Sequence, residues 1–272
     1  MRRARLDAEL VRRGLARSRE HAAELISAAR VTVSGQTAAK PATAVDPGAP
    51  VVVKTDTADE NWASRGAHKL TGALNAFADV TVEGQRCLDA GASTGGFTDV
   101  LLRRGAGEVV AVDVGYGQLI WRLQNDDRVR VHDRTNVRTL TPADIGGPAA
   151  VTVADLSFIS LTLVLPALVA CTEPDGELLL MVKPQFEVGK DRLGVGGVVR
   201  DPQLRADAVA TVVAAAAGLG RGLAGVVASP LPGPSGNVEF FVHLRADAAI
   251  PSSPGDTSVV ERIAKAVAEG PL

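Results

Sequence analysis

The sequence predicts an α/β fold, a mostly parallel, doubly wound sheet of seven strands, preceded by a small α+β unit. Three features of the chain carry that prediction. From residue 86 onward, short apolar runs alternate with helical patterns, as they do where parallel strands are joined through helices. The first such run, Arg86 to Ala90, breaks into Gly91, Gly95 and Gly96 and continues as the helix face Phe97, Val100, Leu101 and Leu102. Glycines in such a strand-loop-helix let the backbone turn tightly and approach a ligand closely. Ahead of it, residues 1–53 follow a different pattern, two short helices and then brief alternating strands.

In order along the chain, Leu6, Leu10 and Val11, followed by Leu15, fall at helical spacing, and Gly14 is a natural stop. Ser18 is placed to cap a second helix that buries Ala22, Leu25 and Ile26. Val31 to Gln36 alternates and turns at Ser34-Gly35, and residues 44–53 give further strands around Pro47-Gly48. So small a core is expected as an appendage to something larger. Residues 1–55 are therefore the first domain, and the polar, acidic stretch 56–64, with Trp62 inside it, is a linker. The second domain, residues 65–246, opens with a helix that has Leu70, Ala73, Leu74 and Phe77 on one face. Strands are expected near 86–90, 109–113, 128–132, 149–155, 177–183, 223–228 and 237–244, with helices near 96–104, 117–125, 157–170 and 202–218. Residues 247–272 are a spacer containing Pro251 and Pro254, then a short final helix.

Composition narrows the function classes. Hydrophobic residues make up 46 % of the 272 positions, ample for a core, while aromatics reach only 3 %, which suits tightly packed helices and buried strands. Cys87 and Cys171 lie inside apolar runs, so no disulfide framework is expected and a reducing cytoplasm fits best. The basic start Met1 to Arg5 is not followed by an apolar segment of the kind a secretory signal requires. The longest apolar runs, 161–171 with Pro166 inside it and 208–219, fall short of the roughly 18 to 20 residues of a spanning helix, so no stable membrane insertion is expected. The net charge of −2 hides an asymmetry: residues 1–30 hold eight arginines against four acids, so that segment carries +4 and the remainder −6. A basic cluster on an otherwise acidic chain points to an element for a polyanion. Its candidate contacts are Arg2, Arg3, Arg5, Arg17, Arg19 and Arg30.

The glycine loop reads Asp89-Ala-Gly91-Ala-Ser93-Thr94-Gly95-Gly96-Phe97-Thr98, which is not the G-x-G-x-x-G of a dinucleotide site. It resembles instead the first motif of class I S-adenosylmethionine methyltransferases, where the loop lies beside the methionine moiety. Twenty-two residues after Gly91, the apolar run Val109 to Val112 ends in Asp113, a carboxylate suited to the paired hydroxyls of a ribose, or else to capping the turn before Gly115. The resemblance implies a Rossmann-like class I methyltransferase fold, with Asp89, Gly91, Ser93, Thr94, Gly95, Gly96, Phe97 and Asp113 around S-adenosylmethionine. Asp133, after the third strand of the sheet, is a further candidate near the adenine.

An α/β sheet keeps its chemistry at strand ends. Asp155 follows Val151 to Ala154, Lys183 ends Leu178 to Val182 before Pro184, Glu239 lies early in the last strand, and Lys69 sits on the first helix of the domain. Two lysines and two carboxylates suit the transfer of a methyl to a hydroxyl, where the oxygen must be held in line and its proton removed. A lysine serves as that base once burial or a neighbouring cation lowers its pKa, whereas nearby carboxylates oppose the fall. The order Lys, Asp, Lys, Glu is similar to the tetrad of FtsJ-like RNA ribose 2'-O-methyltransferases. That resemblance implies Lys183 as general base, Asp155 steering the ribose hydroxyl, and Lys69 and Glu239 completing the site, with no metal.

Two longer resemblances organise the whole chain. Arg5-Leu-Asp-x-x-Leu-Val-x-x-Gly-Leu-Ala-x-Ser-Arg19, Ala22-x-x-Leu25-Ile26, Val31-x-Val-x-Gly35 and Lys40-Pro41 resemble the small RNA-binding domain of ribosomal protein S-four, with Ala28-Ala29 where that family usually has a glycine. Contacts from such a domain would fall mostly on phosphates and be salt-sensitive. Ser64 to Lys69, Val112 to Leu119, Ala154 to Ser160, Val182 to Gly189 and Pro230 to Glu239 resemble the TlyA family nearly end to end, apart from Glu60-Asn-Trp62-Ala63, where a basic residue and Trp-Val are expected. Membership implies methylation of cytidine 2'-hydroxyls in large-subunit rRNA, in actinobacterial members also small-subunit rRNA, with sensitivity to capreomycin and viomycin. The expected partners are ribosomal RNA and ribosomal subunits, and the expected state is a monomer. Two other readings are a membrane-active haemolysin, the name some members carry, and a ribosome-assembly factor without catalysis.

Overall fold

The computed structural model describes residues 4–16, 18–53, 62–249 and 257–270. The chain forms two compact units that divide between Asn61 and Trp62.

The first unit comprises β1 (Ala4–Arg5), α1 (Leu6–Arg12), α2 (Arg19–Ser27), β2 (Val31–Val33), β3 (Gln36–Thr37), β4 (Ala44–Val45) and β5 (Val51–Val53). β1 pairs with β4, and β3, β2 and β5 form a second, antiparallel sheet. Leu6, Leu10, Ala22, Leu25, Ile26, Val31 and Val45 fill its core, the apolar positions that the helical and alternating patterns select. Ser18 caps α2 as expected, accepting a hydrogen bond from the His21 N–H. Both helices end in the same motif. In α1 the Leu15 and Gly14 amides donate to the carbonyls of Leu10 and Val11, and in α2 those of Arg30 and Ala29 donate to Leu25 and Ile26. Position C′ must then be left-handed: Gly14 takes φ +72° freely, but Ala29 is held at +55°. Because Ala29 is exposed, Ala29→Gly should stabilise this unit by about 0.5–1 kcal/mol, the relief of the Cβ clash less the entropy glycine loses. Urea unfolding monitored on this unit checks it; an unchanged or lower midpoint would contradict the account.

The second unit opens with α3 (Gly66–Ala76) and continues as β6 (Arg86–Ala90), α4 (Gly96–Arg103), β7 (Glu108–Val112), α5 (Trp121–Gln124), β8 (Val129–His132), β9 (Ala149–Ala154), α6 (Leu161–Ala170) and β10 (Thr172–Val182). It ends with α7 (Pro184–Glu187), α8 (Pro202–Ala217), β11 (Gly222–Ala228), β12 (Phe240–Arg245) and α9 (Thr257–Ala268). The seven strands lie in one sheet in the order β11-β12-β10-β9-β6-β7-β8. Pairings among β10, β9, β6, β7 and β8 are parallel, and β12 runs antiparallel to both β10 and β11. The expected mostly parallel α/β sheet is the one observed.

Apolar side chains alternate across the sheet into two cores. One packs Leu88, Val110, Leu178, Leu180 and Val242 against α6, α8 and α9; the other packs Cys87, Val109, Val153, Met181 and Phe241 against α3 and α4. Pro166 inside α6 costs about 3 kcal/mol through its missing N–H. Burial of Leu161, Val164, Leu165 and Leu168 from the same helix, at about 1.5–3 kcal/mol each, outweighs it. Among the described residues no helix is long and apolar enough to cross a membrane.

Several boundaries differ from the sequence reading. The helix expected over 117–125 begins only at Trp121, because Gly117 sits at φ +62° with its N–H on Asp133 and holds residues 113–120 as a loop. The helix expected from 157 begins at Leu161, since Phe158 is left-handed at φ +64° and Ser160 takes the cap. β10 starts at Thr172 rather than 177, with an irregular register up to Glu177. β12 starts at Phe240, so Glu239 immediately precedes the last strand instead of lying in it.

Candidate active site

Topology gathers the predicted residues at one edge of the sheet. Asp89 lies near the end of β6, and Asp113, Asp133, Asp155 and Lys183 each directly follow the last residue of β7, β8, β9 and β10. Because β12 is antiparallel, its start lies at that same carboxyl edge; Phe240 pairs with Val182, which puts Glu239 beside Lys183 in the register. The sheet order reverses between β6 and β9, and Asp155 bonds across this point, its N–H donating to the Ala90 carbonyl at 3.1 Å.

Two ion pairs form there. Lys69 Nζ lies 2.5 Å from Glu239 Oε2 and 3.9 Å from Met181 Sδ. Lys183 Nζ lies 2.6 Å from Asp155 Oδ1, an ion contact outside hydrogen-bond alignment, and donates to Ser157 Oγ at 2.9 Å. Both lysines are less than 10 % exposed and Glu239 is 1 % exposed, so the charges interact with little screening by solvent. Asp89 Oδ1, Asp155 Oδ1, Gln185 Oε1 and Glu239 Oε1 are buried acceptors with no hydrogen-bond partner. Each such group costs about 1–3 kcal/mol, so acceptors left open at one sheet edge mark a place that receives donors from outside the chain.

The glycine loop borders this edge. Asp89 is fully buried and takes a 2.6 Å hydrogen bond from the Thr98 hydroxyl on its Oδ2. Burial pushes its carboxyl up to about 7; Thr98 opposes the rise, and Asp155 and Asp113 add to it. Gly91, at φ +88°, approaches so closely that an added Cβ would lie 2.6 Å from the Asp155 carbonyl oxygen. Gly95 is left-handed at φ +97°, and a Cβ on Gly96 would run into Ser64 Oγ. Ser93 and Thr94 are exposed, whereas Phe97 turns its ring into the core against Phe241 at 5.9 Å, leaving only its backbone to the loop. Asp113 accepts from the Ser93 and Gly115 amides at 2.8 and 2.7 Å, so it does cap the turn before Gly115. Asp133 Oδ2 accepts from the Gly117 amide at 2.9 Å. Of the expected linker, 56–61 lie outside the described residues, but Trp62 to Ser64 is tied to α4. The Ala63 amide donates to Asp99 at 2.8 Å and Arg103 stacks over the Trp62 ring at 4.0 Å.

Sequence reasoning missed three residues beside Asp155 and Lys183. Ser157 takes the Lys183 hydrogen bond, and Phe158, 91 % exposed, meets Phe186 with ring centroids 5.3 Å apart. A large aromatic held left-handed and turned to solvent is strained as well as apolar. Its available signal was position, three residues past a strand-end acid in a loop.

In the first unit, Arg2, Arg3 and Arg17 lie outside the described residues, and Arg30 is half-buried. Arg5 and Arg19 are more than half exposed, and both pair with the buried Asp7.

A family model described as FtsJ-like methyltransferase matches residues 62–246, and one described as S4 domain matches residues 4–51. The 16S/23S rRNA (cytidine-2'-O)-methyltransferase TlyA of Mycobacterium tuberculosis is 61 % identical over 272 residues, 99 % of each chain. The 23S rRNA (cytidine-2'-O)-methyltransferase TlyA of Campylobacter jejuni is 34 % identical over 192 residues, 70 % of this chain and 74 % of that one. A solved structure of a hemolysin-named protein from Streptococcus thermophilus superposes with a TM-score of 0.76 at 39 % identity, covering 99 % of this chain and 97 % of that chain. With the sheet order, the glycine loop and the clustered Lys, Asp, Lys and Glu already in place, these likenesses make the chain a member of the TlyA family of FtsJ-like methyltransferases, carrying an amino-terminal S4 domain.

Proposed function

We propose that this chain methylates the ribose 2'-hydroxyl of cytidine in ribosomal RNA, using S-adenosylmethionine. The observation that carries the reading is the pair of buried lysine-carboxylate contacts, Lys69–Glu239 and Lys183–Asp155, set against a glycine loop at one sheet edge. The residues present fit the cofactor. The open, buried Asp89 Oδ1 suits a cationic donor, and Asp113 keeps lone pairs for hydroxyls beyond its two amide bonds. When bound, S-adenosylmethionine supplies a methyl already activated as a sulfonium substituent.

The remaining work belongs to the chain. Lys183 Nζ, in its neutral form, accepts the single proton of the ribose hydroxyl as the oxygen takes the methyl. Asp155 Oδ1, 2.6 Å away, aims that amine at the hydroxyl and balances the ammonium that forms, and Ser157 fixes the lysine from the other side. Lys69 holds Glu239, whose free Oε1 receives a second donor of the nucleotide. Phe158, exposed and backed by Phe186 at 5.3 Å, offers an apolar ring on which a splayed base can stack. Residues 1–55 serve as the RNA-binding domain and 65–246 as the methyltransferase domain, with the enzyme working as a cytoplasmic monomer. Large-subunit rRNA is the substrate common to both named relatives, and small-subunit rRNA the second one, with capreomycin and viomycin sensitivity as the cellular consequence. Transfer of labelled methyl from S-adenosylmethionine to purified large and small subunits tests this. Label mapped to cytidine ribose is the expected result. No label in either subunit, with the cofactor bound normally, would sink the proposal in favour of a non-catalytic ribosome-binding role.

Asp89 gives a pH dependence. Its folded value of about 7 lies above the ordinary ~3.9, so the ligand-free fold holds an extra proton between these values and gains stability as pH falls through that window. A cationic ligand group needs the carboxylate instead. Cofactor affinity should therefore rise about tenfold from pH 5.5 to 7, and Asp89→Asn should flatten the slope. Calorimetric titration across that range checks it; a flat wild-type profile would remove Asp89 from the cationic end of the ligand.

A further inference from the structure

The two acids of α1 have no part in the site described above, yet both are buried. Asp7 is 4 % exposed and Glu9 1 %. Each carries two arginines. On Glu9, Arg12 binds side-on through Nε and Nη2 at 2.7 and 2.6 Å and stays 63 % exposed, so what sets Asp7 apart is that both of its arginines are exposed. Arg13 bonds Glu9 through Nε and spends its remaining nitrogens on the carbonyls of Ala49 and Pro47 at 2.7 and 2.8 Å, which makes it an internal tie. Arg5 and Arg19 have no such backbone bonds among the described residues. Arg5 grips Asp7 through Nε and Nη2 at 3.1 and 2.9 Å, and Arg19 approaches the same carboxylate through Nε and Nη2 at 3.4 and 3.0 Å. Their side chains remain 52 % and 61 % exposed. One edge of each planar guanidinium is committed, and Nη1 lies outside that pairing.

We infer that Asp7 is a positioning residue for RNA: it fixes Arg5 and Arg19 side by side as a preformed clamp for backbone phosphate. The inference rests on the proposed RNA-binding role of this unit and deepens it. Two guanidinium groups sharing one anion would repel each other without it, and two long side chains would regain rotamer freedom that phosphate binding must then remove. Asp7 also accepts from the Ala8 amide at 2.8 Å, so its own position is fixed by the first turn of α1. The consequence runs against simple charge counting. Removing an anion from a polyanion-binding surface raises affinity by Coulomb's law alone, whereas loss of the clamp lowers it.

The test is binding of the full chain to purified large ribosomal subunits across a salt series, for wild type, Asp7→Asn, the double variant Arg5→Ala/Arg19→Ala, and the triple variant. Asp7→Asn is expected to weaken binding about 3- to 10-fold and to reduce the magnitude of the slope of log K against log salt by about one, close to one phosphate contact. In the double-variant background Asp7→Asn should cost nothing further, because it acts through those arginines. Tighter or unchanged binding by Asp7→Asn, with the double variant weakened, overturns the inference and leaves the RNA-binding role standing. A triple variant weaker than the double also overturns it, since that would report a structural role of Asp7. A double variant that binds like wild type overturns both the inference and the reading beneath it.

Discussion

Replacing Lys183 with alanine is expected to slow methyl transfer by about 10²–10⁴-fold, the usual contribution of a positioned general base, while cofactor affinity stays within a few-fold. The separation of effects follows from where the side chain sits. Lys183 touches Asp155 and Ser157, whereas the residues proposed for the cofactor lie on β6 and the loop after it and at the ends of β7 and β8. Lys69→Ala provides the contrast. Its partner Glu239 is only 1 % exposed, so removing Lys69 strands a buried carboxylate at a cost of about 3–5 kcal/mol. Asp155, at 23 % side-chain exposure, can be rehydrated when Lys183 is lost. Lys69→Ala should therefore depress melting temperature and rate together, and Lys183→Ala the rate alone. Single-turnover transfer to ribosomal subunits, paired with thermal melts, distinguishes them. A Lys183→Ala enzyme within a few-fold of wild type would remove that lysine as the base.

How much of this was legible in the sequence divides along physical lines. The strands were readable because β-branched and aliphatic runs such as Val109 to Val112 and Val151 to Ala154 have no other way to bury themselves. The polar residues that end those runs were readable for the same reason, since an acid or lysine can follow an apolar strand only where the strand leaves the core. The fold class followed from the alternation, but the exact starts of α5 and α6 did not. Those depend on Gly117 and Phe158 taking positive φ, and a phenylalanine gives no local sign that it will. Pairings over long separations were also hidden. Lys183 to Ser157 and Lys69 to Glu239 span 26 and 170 residues and exist only once the sheet order is set. In the first unit the arginine count pointed to a polyanion, yet the burial of Asp7 beneath two of those arginines could not be read from their spacing.

Gly91→Ala should show that the cofactor loop and the reacting edge are one mechanical piece. A left-handed alanine costs about 1–2 kcal/mol wherever it occurs. Gly117, at φ +62° with nothing within 4 Å of an added Cβ, isolates that cost. At Gly91 the added Cβ would also lie 2.6 Å from the Asp155 carbonyl oxygen and 3.0 Å from Leu156 Cδ2. A carbonyl cannot rotate aside as a flexible side chain does. Its own residue donates to the Ala90 carbonyl at 3.1 Å, and Gly91 donates to Val112 at 2.8 Å, so the loop is held on both sides. Gly91→Ala is therefore expected to destabilise the fold by about 2–4 kcal/mol, a drop of roughly 5–15 °C in melting temperature, against about 1–2 kcal/mol for Gly117→Ala. At a temperature where the variant is still folded, the clash displaces the backbone of Asp155, whose side chain pairs with Lys183. Cofactor affinity and the rate at saturating cofactor should then fall together, although Gly91 carries no side chain and Asp155 belongs to another strand. If the variant lost cofactor affinity but kept its rate at saturation, the 2.6 Å approach would be incidental and the loop would act on the cofactor alone.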